Sequence, residues 1–158
     1  MAKQKKKPSD TGAIVNRRAR FDYELGDEIV AGLELTGLEV RAARQNHVQL
    51  KGSFVTIRNN ELWLNNASFS LKLNERGQSD QNTVDTTPKK LLVKRKDIDQ
   101  LAAKKQTGMT IVATKLLTSG RYIKLVIALG KGKKNYDKRE TIKRRDQDRD
   151  AKREIARS

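Results

Sequence analysis

Apolar side chains run out in this chain well before its residues do. After Arg139, nearly the only ones are Ile142, Ala151, Ile155 and Ala156, and they form no stripe on a helix. Such a segment buries too little to order itself, so the fold has to be completed upstream. The border is the stretch 130–139, GKGKKNYDKR. It holds Lys131, Lys133, Lys134, Lys138 and Arg139, with two glycines and Tyr136 among them. Glycine lets backbone approach a bulky anion, lysine supplies counter-charge, and a ring among cations can stack on a base. A solvated basic linker would have the same composition.

The charge is uneven. The chain has 158 residues and a formal net charge of +16. Residues 1–20 carry seven Lys/Arg against one acid, and residues 131–158 carry twelve against six, so each end has +6 and the body keeps +4. Two basic ends on a milder body suit a polyanion: nucleic acid first, an anionic membrane second. No apolar run approaches the roughly 18 residues of a membrane span, and no signal-peptide core is visible, so no membrane partner is expected. There is no cysteine, which excludes disulfides and Cys-ligated zinc and fits a cytoplasmic protein.

Residues 1–15 read as a disordered basic N-terminus, residues 16–130 as a barrel and residues 131–158 as a basic tail. In 16–23, NRRARFDY, Arg17, Arg18 and Arg20 cluster beside Phe21 and Tyr23. Clustered arginines fit phosphate contact. The aromatics fit equally a strand start pinned to the core. Alternation predicts a strand over 28–35. Thr36 and Glu39 match a capping box, opening a helix of about two turns that ends at Arg44. Arg41 and Arg44 share a face of it. The lone His47 has no second histidine or cysteine with which to build a metal site.

Residues 53–58 and 61–65 read as a hairpin turned by Asn59-Asn60, continued by a strand over 67–73. The apolar-poor 74–88 reads as a mobile loop. A short apolar run between cations, over 89–94, and a helix over 97–105 follow. Strands at 110–118 and 121–129 form the clearest hairpin, with Ser119-Gly120 as its turn. Ile123, Leu125, Ile127 and Leu129 alternate there with Lys124, Val126 and Ala128, leaving Lys124 outside. The total is about six strands and two short helices. The fold class is mainly β, an antiparallel barrel of the OB type with a basic C-terminal tail. In that tail, Glu140–Arg144 and Asp148–Lys152 attract, while Arg145–Arg149, Arg149–Arg153, Asp146–Asp150 and Asp150–Glu154 repel. The tail is therefore expected to be unstructured when free and helical against an anionic surface.

Four blocks now stand in order: NRRARFDY; AGLELTGLEV followed by RAAR; KKLLVKRKDIDQL; and GKGKKNYDKRETIKRR. Together they resemble the SsrA-binding protein family (small protein B), from about Asn16 into the tail. The resemblance implies an OB barrel that binds the tRNA-like domain of transfer-messenger RNA and delivers it to stalled bacterial ribosomes for trans-translation. It also implies a tail that enters the empty messenger channel of the small subunit and folds there.

Asn16, Arg18, Ala19 and Arg20 match the family's opening motif; Gly37, Glu39 and Val40 match its short-helix block. Leu92 and Lys124 fall at positions the family uses against RNA. Gly132, Lys133, Lys134, Asp137, Lys138 and Arg139 match the motif leading into the tail. Phe21 stands where the family usually has a histidine implicated at the decoding centre, Ala42-Ala43 replaces Ser-Leu, and Lys94 replaces a frequent His or Asn.

The expected RNA-binding residues are thus Asn16, Arg17, Arg18, Arg20, Glu39, Arg41, Arg44, Leu92, Lys124, Lys131, Gly132, Lys133 and Lys134. The expected ribosome contacts are Phe21, Tyr136, Asp137, Lys138, Arg139, Lys143, Arg144, Arg145, Arg149, Lys152 and Arg153. A monomer without metal or cofactor is expected. A general ribosomal or single-strand-binding OB protein is the competing reading, ranked second because aromatic platforms are few. An enzyme is disfavoured, since no metal cluster, activated nucleophile or nucleotide loop is visible.

Overall fold

The computed structural model of the chain describes residues 12–71 and 83–157. In order, β1 (Ala13–Val15) leads into a short helix, α1 (Arg17–Asp22), and the long strand β2 (Tyr23–Leu33). Next come α2 (Gly37–Arg44), β3 (Val48–Gln49), β4 (Phe54–Arg58), β5 (Glu61–Asn65) and β6 (Ser68–Leu71). The last elements are β7 (Thr83–Asp85), β8 (Lys89–Leu92), α3 (Arg95–Lys105), β9 (Thr110–Leu117), β10 (Lys124–Gly132) and α4 (Asn135–Arg157).

Six strands close on themselves in the order β9-β10-β2-β8-β5-β4, with β4 returning to β9. The mainly β, barrel-like class expected from the sequence is what forms. Closure uses one edge of β9 twice. Ile111 and Val112 pair with Val55 and Phe54, while the far half of that edge takes β1 through Val15–Lys115, Ile14–Leu116 and Ala13–Leu117. Register shifts in β10, between Val126 and Ile127 against β9 and between Ala128 and Gly130 against β2, supply the bends a small barrel needs. A second sheet, β3-β6-β7, sits beside the ring.

The core is aliphatic. Leu62, Leu64, Ile111, Leu116, Leu125 and Ile127 fill it, with Phe69 as its one fully buried aromatic among the described residues. The Asn59-Asn60 hairpin forms as expected, with φ of 49° and 60° at the two asparagines, the left-handed pair a tight turn requires.

Several expectations change. Residues 17–22 are helical, not the start of a strand. Asn16 caps that helix, and β2 begins at Tyr23, five residues before the expected strand. Val126 and Ala128, expected on an open outer face, are buried. Helix α1 packs against β2 and β9, the two strands that flank β10, and α3 packs against β9 and β10. Of the expected disordered 1–15 and loop 74–88, residues 1–11 and 74–82 lie outside the described residues. The rest includes β1 and β7. β10 runs to Gly132, past the expected barrel boundary at 130.

Candidate RNA interface

Three strands place the two expected barrel contacts side by side. In register across the sheet, Lys124 of β10 faces Gly32 of β2, and Gly32 faces Leu92 of β8. Lys124 is exposed, and Leu92 keeps 55% of its surface in water. Val30, two residues from Gly32 and so on the same face, is 56% exposed. Gly32 keeps the row low: a Cβ there would lie 3.2 Å from the Leu92 Cβ. The result is a shallow apolar step with one cation at its edge. Such a step has the shape and charge to take ribose and base faces beside a phosphate. Neither Val30 nor Gly32 was expected at the site. Only the strand register reveals them.

Beside this row, α2 forms as its capping box dictates. Thr36 Oγ1 accepts from Glu39 N at 3.5 Å, and Glu39 Oε2 accepts from Thr36 N at 2.8 Å. Arg41 is exposed on it. Arg44, expected against RNA, donates to the carbonyls of Thr118, Gly120 and Arg121 at 3.1–3.3 Å. It therefore holds the loop between β9 and β10. That loop presents Tyr122, 67% exposed, with the Arg121 guanidinium 5.4 Å from its ring centre. Tyr122 was also missed; a lone tyrosine after arginine is a weak signal.

Two expected RNA contacts have most of their surface inside the protein. Asn16 is buried. Its side-chain oxygen accepts from Ala19 N at 3.3 Å, and its amide nitrogen donates to Leu50 O at 3.0 Å and Ala113 O at 2.9 Å. These bonds fix α1 on the barrel. Glu39 is buried as well. Beyond the capping box, its Oε1 accepts from Lys89 Nζ at 2.5 Å.

Lys89, only 7% exposed, also donates to Asp85 Oδ2 at 2.7 Å and Thr87 Oγ1 at 2.6 Å, with its ammonium 5.6 Å from the Phe69 ring centre. Burial works against its charge, but the Asp85 and Glu39 carboxylates outweigh it and raise the Lys89 pKa. Lys89 in turn holds the Asp85 carboxyl far below the usual carboxylate range. The cluster ties α2 to β8 behind the Gly32–Leu92 row.

The remaining predicted residues gather at the other end of β10. Gly132 pairs with Tyr23 and Lys131 with Glu24, eight and seven strand positions from Lys124 and so about 23–26 Å away. Gly130 is needed for close approach, but to the protein itself: a Cβ there would lie 3.0 Å from Tyr23 Cβ. Around this end, Arg17, Arg18 and Arg20 of α1 are exposed, as are Lys131, Gly132 and Lys134. Lys133 N donates to Asp22 O at 2.9 Å and its Nζ to Arg20 O at 3.1 Å, tying the chain after β10 to α1. Asp22 bridges the two helices, taking Arg18 Nε at 2.9 Å and Lys138 Nζ at 3.2 Å. Partial burial opposes ionisation of Asp22, but those two cations prevail and lower its pKa.

Helix α4 spans 23 residues, about 35 Å, and buries none of them. Asp137 lies in its first turn, where a carboxylate favours the helix dipole. Tyr136 is exposed beneath Lys134 Nζ, 5.9 Å away. Arg139, Lys143, Arg144, Arg145, Arg149, Lys152 and Arg153 are all exposed along it. Arg153 reaches Asp150 at 3.8 Å. Two guanidinium groups lie over the Phe21 ring, Arg18 at 5.2 Å and Arg145 at 5.7 Å from its centre. A predicted decoding-site aromatic is thus already stacked with the protein's own cations. No group of three or more His, Cys, Asp or Glu among the described residues could hold a metal ion, and no helix among them is long and apolar enough to cross a membrane.

The chain resembles known proteins throughout. Residues 13–157 match the family model described as SmpB protein. An SsrA-binding protein of Streptococcus mutans is 43% identical over 141 residues, covering 89% of each chain. One from Ligilactobacillus salivarius is 38% identical over 155 residues, covering 96% of each. A solved structure described as "tmRNA-SmpB: a journey to the center of the bacterial ribosome" superposes with a TM-score of 0.62 at 32% identity, over 78% of this chain and 86% of the other. With a closed β ring, a cationic face at each end of one strand and these matches along nearly its whole length, the chain belongs to the SmpB family.

Proposed function

We propose that this protein binds the tRNA-like domain of transfer-messenger RNA and brings it to stalled ribosomes, where trans-translation tags the incomplete peptide. The observation that carries this reading is the Lys124–Gly32–Leu92 row, an apolar step with a cation at its edge on the face of a closed barrel. Folded RNA is recognised by shape, stacking and ribose contact more than by duplex edges, and such a step offers those contacts. Its chemistry is binding and delivery, at work in the cytoplasm where ribosomes translate.

The second end has a different partner in this reading. Tyr136, Lys138 and the cations of α4 meet ribosomal RNA at the decoding centre and in the messenger channel. What supports this is that α4 contributes nothing to the core and carries its charge on every side. Free of the ribosome, the helix beyond Arg139 buries nothing and opens readily, and the anionic channel stabilises it. Sharp, dispersed amide signals for residues 140–155 in the free protein would overturn this part.

The deciding experiment titrates the full chain against a tRNA-like RNA, a duplex DNA and a polypyrimidine strand at matched salt. Preference for the tRNA-like RNA, weakened by Lys124→Ala, is the expected result. Equal affinity for all three would remove the reading.

A further inference from the structure

A cleft of about 420 Å³ opens between α1 and the start of β4, toward the end of β10 opposite Lys124. Its apolar lining comes from Ala19, Val112 and Phe54, and its cations are Arg18 and Lys51. Phe54 begins β4, and its neighbour Val55 points into the core. The Phe54 ring therefore faces outward, 42% exposed, beside its cross-strand partner Val112.

The loop that carries Lys51 is held rigid. Leu50 O accepts from Ser53 N at 3.0 Å, from Ser53 Oγ at 2.6 Å and from Asn16 Nδ2 at 3.0 Å. Gly52, at φ +75°, accepts from Asn66 Nδ2 at 3.2 Å. Asp22 also lines the cleft and pairs with Arg18 Nε and Lys138 Nζ; this one carboxylate stands against Arg18, Lys51 and Lys138, so the site stays cationic.

We propose that this cleft is a binding site for one unstacked nucleotide of small-subunit ribosomal RNA, its base stacked on Phe54 and its phosphate held by Arg18 and Lys51. The volume suits a single nucleotide, not a folded peptide. The pairing of an exposed ring with cations is how proteins take splayed-out bases. Position favours the ribosomal source, which moves Arg18 from the contacts expected with transfer-messenger RNA to the ribosomal side. Tyr23 and Thr110, which also line the cleft, pair with Gly132 and Gly130 at the tail end of β10, about 20 Å or more from the Lys124 row that takes the tRNA-like RNA. The inference rests on that division of partners between the two ends.

The test uses the full chain carrying Phe54→Leu, which keeps an apolar side chain and removes the ring, and Phe54→Tyr, which keeps the ring. Affinity for purified small subunits and for the tRNA-like RNA is measured separately, with melting temperature as a check on folding. Loss of about tenfold in subunit affinity for Phe54→Leu, recovery with Phe54→Tyr and unchanged binding of the tRNA-like RNA are expected. Ultraviolet crosslinking of the wild-type complex should then join the 51–54 peptide to ribosomal RNA. Equal subunit affinity for all three proteins, a crosslink to a ribosomal protein, or parallel loss of both affinities would overturn the site. Only failure of wild-type protein to prefer the tRNA-like RNA would overturn the function on which it rests.

Discussion

Asp22 and Lys138 meet at 3.2 Å across the gap between the first helix of the chain and the last. With Arg18 on its other oxygen, the Asp22 carboxylate is the hub through which α4 is aimed. Substituting Asp22→Asn should free the start of α4 without disturbing the barrel. Amide exchange in residues 133–139 should rise while melting temperature moves by no more than about a degree or two. Because the Asp22 pKa is lowered, the pair is intact above the ordinary carboxylate pKa of about 3.9 and is lost as pH falls through the lower folded value. The fraction of the pair formed should therefore be flat from about pH 5 to about pH 8.

Lys124→Ala should weaken RNA binding without destabilising the fold, since the side chain is exposed. The slope of log affinity against log salt should fall by about one, as expected when one phosphate is no longer neutralised. An unchanged slope would assign Lys124 to a role other than pairing with phosphate.

The Lys89 cluster is the most sensitive point of the barrel wall. Lys89→Met leaves the buried Glu39 and the adjacent Asp85 uncompensated and should cost about 3–5 kcal/mol, read by denaturant unfolding. Adding Glu39→Gln should recover part of that loss, because the two changes share one interaction. The pH profile follows from both shifts. The raised lysine contributes fully below about pH 10.4 and its contribution disappears above its folded value. The lowered Asp85 contributes above about pH 3.9 and ceases to do so in acid. Wild-type stability should fall at both extremes, and Lys89→Met should flatten the alkaline limb.

Truncation after Arg139 removes most of a helix that buries nothing. Melting temperature and affinity for the tRNA-like RNA should stay as they were, while peptide tagging on stalled ribosomes should cease. Tagging by the truncated chain would end the assignment of the tail to the ribosome.

What could be read from the sequence was what depends on neighbours along the chain. Thr36 and Glu39 announce the start of α2, and Asn59-Asn60 announces a tight turn, because both devices are local. Helix α1 was invisible for the opposite reason. It buries only Ala19, and Asn16 is anchored by carbonyls 34 and 97 residues away. Lys89 looked like one more solvated cation in a KKLLVK run, since its carboxylates come from Glu39 and Asp85 on other elements. The Lys124–Gly32–Leu92 row was half legible: its ends could be named, but the glycine between them appears only once three strands are in register.

β10 is paired with a neighbour along both edges from Lys124 to Gly130, and along the β2 edge on to Gly132. A strand clamped in that way can neither stretch nor shorten. It acts as a gauge block: whatever seats against one extremity is set at a fixed stand-off from whatever seats against the other. Inserting or deleting a single residue within it would both change that length and turn one set of side chains to the wrong side.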